Sequence, residues 1–246
     1  MRAAIVTGVS RGVGEALADT LLEHGFRVLG VGRSDSARLA RDGYEFVEAD
    51  LADAGRIAGA CTGAMTSLAQ RRPSYVVLVN NAAQVDPVGR FGTLADPALA
   101  RALSVNLSAP AILANLFCRI FADHGAQRRI INVSSGSAQR TVPGAGPYSV
   151  AKAGLEMLTM ALATDHADPG FRAISVRPGV IDTDMQRFAR SQTPEVLPAV
   201  ALFQGFHRAG QLVPPATTAR VIVDRLILAP VDHGRTYTYQ DLASGD

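Results

Sequence analysis

The sequence predicts an α/β fold: a single domain over residues 1–246 built on one doubly wound parallel sheet, in three layers α/β/α. Short β-rich apolar runs alternate with longer amphipathic stretches, which is the rhythm of βαβ units. A chain of 246 residues that is 48% hydrophobic can bury such a sheet on both faces without a second domain. A glycine-rich turn also joins the first apolar run to the first amphipathic one.

The first strand is read in "AAIVTG" (3–8) and the first helix in "VGEALADTLLEHG" (13–25). Further strands are read in "RVLGVG" (27–32), "YEFVEAD" (44–50), "YVVLVNNA" (75–82) and "RIINVSS" (129–135). A long helix is expected over "YSVAKAGLEMLTMALATDHA" (148–167), a strand over "FRAISVRPG" (171–179), a helix over "PATTARVIVDRLILA" (215–229) and a last strand near "RTYTY" (235–239). Proline and glycine punctuate most joints. The run from Asp182 to Pro214 breaks the rhythm, mixing Pro, Gln, Phe and His without clean periodicity. An irregular insertion of that length in a compact domain is usually functional.

Composition narrows the function. The 24 basic and 22 acidic residues nearly cancel, which argues against a nucleic-acid partner. Cys61 and Cys118 are isolated and share no paired spacing, so no disulfide framework or metal site is expected, and the default compartment is a reducing cytoplasm. The apolar start "MRAAIVTG" is interrupted before it makes a signal-peptide core, and no run approaches the ~18 apolar residues of a membrane span.

Lys152 is the only lysine beside 23 arginines. It stands four residues after Tyr148, a spacing that puts both on one helix face. The other tyrosines, Tyr44, Tyr75, Tyr237 and Tyr239, are followed four residues later by Glu48, Val79, Asp241 and Ala243. A lone lysine placed at random among the basic positions would land there roughly once in 24 times, counting spacing alone. A site that needs a compact ammonium resists replacement by a planar guanidinium. An ordinary surface pair and a bias toward arginine codons are the alternatives. The turn "TGVSRGVGE" carries Gly8, Gly12 and Gly14 ahead of a helix, where bare backbone amides can approach a pyrophosphate, although a structural tight turn also calls for glycine.

These residues together resemble the short-chain dehydrogenase/reductase family along nearly the whole chain. "TGVSRGVG" is similar to its Thr-Gly-x-x-x-Gly-x-Gly signature, "NNAA" (80–83) to its Asn-Asn-Ala-Gly, and "PYSVAK" to its Tyr-x-x-x-Lys. Ser135 stands where the family's catalytic serine stands, thirteen residues before Tyr148. Asn106 in "SVNLSAP" matches the tetrad asparagine, and "RPGVIDTDM" matches the nicotinamide-side loop. Ala83 departs from the family's glycine. Several segments look most like the benzil reductase and sepiapterin reductase branch, and the tail "HGRTYTYQDL" lacks the Asn-Gly-Gly ending common in acyl-carrier-protein reductases.

The resemblance implies a Rossmann-type fold and an NADP-dependent oxidoreductase acting on a small-molecule carbonyl substrate. The catalytic set it implies is Asn106, Ser135, Tyr148 and Lys152. Tyr148 gives a proton to the carbonyl oxygen, Ser135 a hydrogen bond, Asn106 holds a relay water, and Lys152 holds the nicotinamide ribose. The ammonium is expected to lower the phenol from its usual pKa of about 10. Of the two adjacent serines only one can face the site, and the thirteen-residue spacing selects Ser135 over Ser134. The cofactor-binding set is Gly8, Ser10, Arg11, Gly12, Val13 and Gly14 in the turn, with Arg33, Asp50, Leu51, Asn81 and Ala82, then Tyr148, Lys152, Pro178, Gly179, Ile181 and Thr183. Arg33 and Arg11 favour NADPH by offering cations to a 2′-phosphate, while Asp35 leaves the register open. The segment 182–214 is expected to cover the substrate with Met185, Phe188, Leu197, Phe203 and Phe206. The family also implies a homodimer, or a tetramer, paired through helices near 108–123 and 148–167. A 3-oxoacyl-thioester reductase and a non-catalytic NADP-sensing protein remain as alternative readings.

Overall fold

The computed structural model describes residues 1–122 and 125–243, so the final residue of the first expected pairing helix lies outside the described residues. Seven strands, β1 (Arg2–Thr7), β2 (Phe26–Gly32), β3 (Tyr44–Glu48), β4 (Tyr75–Asn80), β5 (Gln127–Val133), β6 (Phe171–Arg177) and β7 (Thr236–Thr238), form one sheet. Their order is β3-β2-β1-β4-β5-β6-β7, parallel throughout. The helices are α1 (Gly12–Glu23), α2 (Ala54–Gln70), α3 (Asp96–Leu103), α4 (Ala109–Ile120), α5 (Gly146–Asp165), α6 (Asp184–Arg190), α7 (Val200–Arg208), α8 (Pro215–Ile222) and α9 (Tyr239–Ala243).

Successive strand side chains point to opposite faces, so β1 feeds two cores. Ala3 and Ile5 join Ile57 and Met65 of α2 and Leu113 and Phe117 of α4. Ala4 and Val6 join Leu17 and Leu21 of α1 and Ile222 of α8. Covering both faces is why the strands read as continuous apolar runs. The chain builds outward through β1, β2 and β3, then crosses back to β4. That reversal opens a crevice beyond the carboxyl ends of β1 and β4, the place where open α/β sheets bind ligands.

α3 and α4 are one helical run joined by a π-helical turn at Ser104–Ser108. Pro110 supplies the reason: it has no N–H and its ring clashes with the carbonyl four residues back, that of Asn106, so the ladder widens there. The run Asp96–Ile120 is long and apolar enough by length and composition to cross a membrane, which the sequence reading did not anticipate. In the fold its buried positions, among them Ala109, Leu113 and Phe117, pack into the sheet's core.

The expectation of irregular structure over 182–214 is corrected: the segment contains α6 and α7. Helices of 7 and 9 residues are shorter than the window in which periodicity registers. The segment leaves and returns at one neck, where Asp182 N donates to Val213 O at 3.0 Å and Val213 N to Val180 O at 2.9 Å. Between these ends it carries a small core of its own, with Leu197 and Val200 buried against Ala145 and Ala189. On the outer face of α5, Val150, Met157 and Met160 are exposed.

Candidate active site

A cleft of about 1220 Å³ lies across the carboxyl ends of the strands. It begins at the glycine-rich turn. Thr7, at the end of β1, accepts through its hydroxyl from Asn81 N at 3.0 Å and Ala82 N at 2.9 Å, which draws the 80–83 loop against the turn. The approach is close enough that a Cβ on Gly8 would stand 2.9 Å from Ala82 Cα, and one on Gly14 would stand 2.1 Å from Gly8 O. Gly8 and Gly14 are therefore required by the protein's own packing. A Cβ on Gly12 would meet only a Thr183 methyl carbon, at 3.7 Å, within the cleft. The first turn of α1 has no side-chain cap, so its amides are free to face an anion. This cradle fits a dinucleotide's pyrophosphate.

Every cofactor-binding residue expected from the sequence lines this cleft: Gly8, Ser10, Arg11, Gly12, Val13, Gly14, Arg33, Asp50, Leu51, Asn81, Ala82, Tyr148, Lys152, Pro178, Gly179, Ile181 and Thr183. Ala83 lines it too, and its backbone lies outside the left-handed region, so the departure from glycine carries no strain. Arg33 is exposed at the β2 end, and its charge helps hold the Asp50 carboxyl below its usual range, after the Ala52 amide and Arg101. Asp35 is engaged elsewhere, accepting from Ser36 N at 2.7 Å and from the Tyr44 hydroxyl. Arg11 pairs with Asp184 of α6 at 2.7 Å, across the cleft mouth.

Three of the four expected catalytic residues meet at the far end. Tyr148 and Lys152 sit one turn apart on α5, with the Lys152 Nζ 5.5 Å from the Tyr148 ring centroid. Lys152 is buried and donates to Val133 O at 2.7 Å. Ser135, just past β5, lines the cleft with Tyr148, and its hydroxyl donates to Ser137 Oγ at 3.3 Å and accepts from Ser137 N at 3.2 Å. Ser134 also lines the cleft, against the expectation that only one of the two serines faces it, because both lie past the end of β5 where strand alternation no longer holds; its hydroxyl is taken up by Glu156 Oε1 at 2.7 Å. Asn106 does not reach the cleft lining. It is buried in the π-helical turn, donates to Gln84 O at 2.7 Å and accepts from Gln84 N at 2.9 Å. Its side chain thus pins the backbone of a cleft residue.

The acidity of Tyr148 runs opposite to the sequence-based expectation. Burial pushes the phenol up to about 12, opposed by the Ser135 hydroxyl, and burial brings Lys152 down to about 8. Losing hydration outweighs what the neighbouring ammonium was expected to contribute. The linkage signs are opposite. Between about pH 8 and Lys152's ordinary 10.5 the unfolded chain binds more protons, so this group makes stability rise with pH across that window. Tyr148 contributes stability that is complete below its ordinary 10.0 and lost as pH rises through about 12.

The substrate end is apolar. Val85, Val142, Met185, Leu202, Phe203 and Phe206 line it. Of the five covering side chains expected, Met185, Phe203 and Phe206 face the cleft; Leu197 is fully buried in the segment's own core, and Phe188 is absent from the lining. Leu202 was not anticipated, nor was the pair of Glu156 with Arg177, although Glu156 continues the Tyr148–Lys152 helical spacing.

Because Lys152 is the sole lysine, protein labelled with ¹³C-lysine gives one side-chain resonance. Its shift is expected to titrate near pH 8; a midpoint at or above 10 contradicts the buried position described.

Comparison with known proteins agrees with this geometry. Residues 2–194 match the short chain dehydrogenase family. A benzil reductase ((S)-benzoin forming) of Bacillus subtilis is 29% identical over 96% of this chain and 98% of its own. A sepiapterin reductase of Meriones unguiculatus is 33% identical over 90% of each. A short chain dehydrogenase/reductase structure from Saccharomyces cerevisiae superposes with TM-score 0.85 at 24% identity, covering 100% of this chain and 99% of that one, a likeness of fold. With its glycine-rich cradle and Ser135–Tyr148–Lys152 cluster, the chain belongs to the short-chain dehydrogenase family, oxidoreductases that use a nicotinamide cofactor on carbonyl and hydroxyl groups.

Proposed function

We propose that the chain is an NADPH-dependent carbonyl reductase of small ketones or 1,2-dicarbonyls. The observation that carries the reading is the meeting of Ser135, Tyr148 and Lys152 beside an apolar wall at one end of a dinucleotide-sized cleft. Tyr148, held neutral by burial, keeps at pH 7 the proton that passes to the carbonyl oxygen. Ser135 donates a hydrogen bond to the same oxygen, stabilising charge that develops there in the transition state. Lys152, fixed by Val133 O, would hold the nicotinamide ribose with its remaining N–H donors. A nicotinamide bound here would supply the hydride, while the chain's own contribution is the phenolic proton of Tyr148.

NADPH over NADH is supported by Arg33, exposed at the cleft's β2 end, and by the engagement of Asp35 with Ser36 and Tyr44. A dicarbonyl or small aromatic ketone is supported by the apolar wall and by relatives named for benzil and sepiapterin reduction. A panel of 1,2-diketones, pterins and 3-oxoacyl thioesters assayed with both cofactors separates this reading from a thioester reductase.

Replacing Tyr148 by Phe keeps the ring and removes the proton, so kcat for diketone reduction is expected to fall by about 10²–10⁴ with NADPH binding retained; undiminished turnover rejects Tyr148 as the acid. Arg33→Asp replaces a charge-assisted contact with repulsion of the 2′-phosphate, and the kcat/KM ratio is expected to move toward NADH. An unchanged ratio assigns phosphate reading to another residue.

A further inference from the structure

Three successive residues at the end of β5 meet three successive turns of α5. Val133 accepts from Lys152, Ser135 lies beside Tyr148 and lowers its pKa against burial, and Ser134 donates to Glu156. Glu156 lies four residues beyond Lys152 and eight beyond Tyr148, so it extends the same helical stripe. Its carboxylate is also gripped by both prongs of Arg177: Nε donates to Oε1 at 2.8 Å and Nη2 to Oε2 at 2.6 Å. The two side chains are only 15% and 16% exposed. Arg177 is the last residue of β6 and leads directly into Pro178 and Gly179 of the cleft wall. None of the reaction steps assigned above uses this pair.

We propose that Glu156 and Arg177 are a positioning pair, locking α5 to the ends of β5 and β6 and so setting Tyr148 and Lys152 against Ser135 and the Pro178–Gly179 loop. The proposal rests on the reductase reading. One carboxylate collects a strand hydroxyl and an arginine fork on a single helix position, which fixes the helix in two directions at once. Desolvation offsets much of the attraction within a buried pair, so its contribution is geometry more than stability. The guanidinium holds its proton more tightly than usual because of its hydrogen bond to Glu156, which keeps the fork charged.

The test compares the parent with Glu156→Leu/Arg177→Met, a double change that removes the pair without leaving a buried charge. Melting temperature, NADPH dissociation constant, kcat on a 1,2-diketone and the lone-lysine ¹³C titration are measured on each. The melting temperature is expected to change by about 4 °C or less and NADPH affinity by about threefold or less, while kcat falls at least about tenfold. The Lys152 midpoint is expected to rise by about one unit or more as the loosened helix admits water. An unchanged kcat with an unmoved Lys152 midpoint overturns the proposal. So does a fall in kcat that only follows a matching loss of folded protein. If the double variant does not fold, Arg177→Lys, which keeps the charge and loses the fork, carries the same expectations and the same overturning result. If the parent reduces none of the ketones, the reductase reading fails, and the lysine titration alone decides the pair: a shift upholds the lock and no shift overturns it.

Discussion

The hydrogen bond from Lys152 Nζ to Val133 O is the contact on which the site depends. It buries an ammonium at the junction of β5 and α5, with the Val133 carbonyl as its acceptor and the face of Tyr148 beside it. Burying a cation with so few partners is unfavourable, and the drop in Lys152's pKa toward 8 is that cost seen from the proton's side. The cost is borne because the rest of the junction is held elsewhere. Below the site Thr159 of α5 accepts from Asn132 Nδ2 at 2.8 Å and lies 2.7 Å from the Ser175 hydroxyl. Asn132 and Ser175 are partners in the register of β5 and β6, so this polar stitch joins the helix to two strands.

The same burial accounts for the form in which the proposed catalytic groups wait. An acid must keep its proton until the oxygen needs it, and a phenol raised to about 12 does so across the physiological range. Ser135 is the counterweight, since its hydroxyl beside the phenol favours the phenolate and limits how far burial moves it. The oxygen-facing pair therefore comes from two elements, a strand end and a helix, and its spacing is only as good as the docking between them. Asn106 serves the opposite wall in a comparable way, its π-helical turn giving an inward side chain that grips the Gln84 backbone.

The fold was legible in the sequence because parallel strands covered on both faces are apolar along their length, and most joints carry a glycine or proline. The candidate cofactor cleft was legible because its parts are local: the turn before α1, the 80–83 loop and the Tyr148–Lys152 spacing each lie within a few residues. What stayed hidden depends on contacts between distant segments. The direction of Tyr148's acidity follows from how deeply α5 is buried. Glu156 gains its meaning from Ser134 and Arg177, which are 22 and 21 residues away. Within 182–214 the division of labour, with Phe203 on the cleft and Leu197 in a private core, is set by how two short helices pack.

The central claim is that the Lys152–Val133 junction presents Tyr148 and Ser135 to one substrate oxygen. A crystal structure of the Tyr148→Phe protein with NADPH and a 1,2-diketone, in which turnover is slowed, tests this most directly. The account predicts a carbonyl oxygen within about 2.6–3.2 Å of the Ser135 hydroxyl and near the ring edge where the phenol stood, with the Lys152–Val133 hydrogen bond retained. A diketone bound with both oxygens turned away from Ser135 and residue 148, or a lysine withdrawn from Val133, would contradict it.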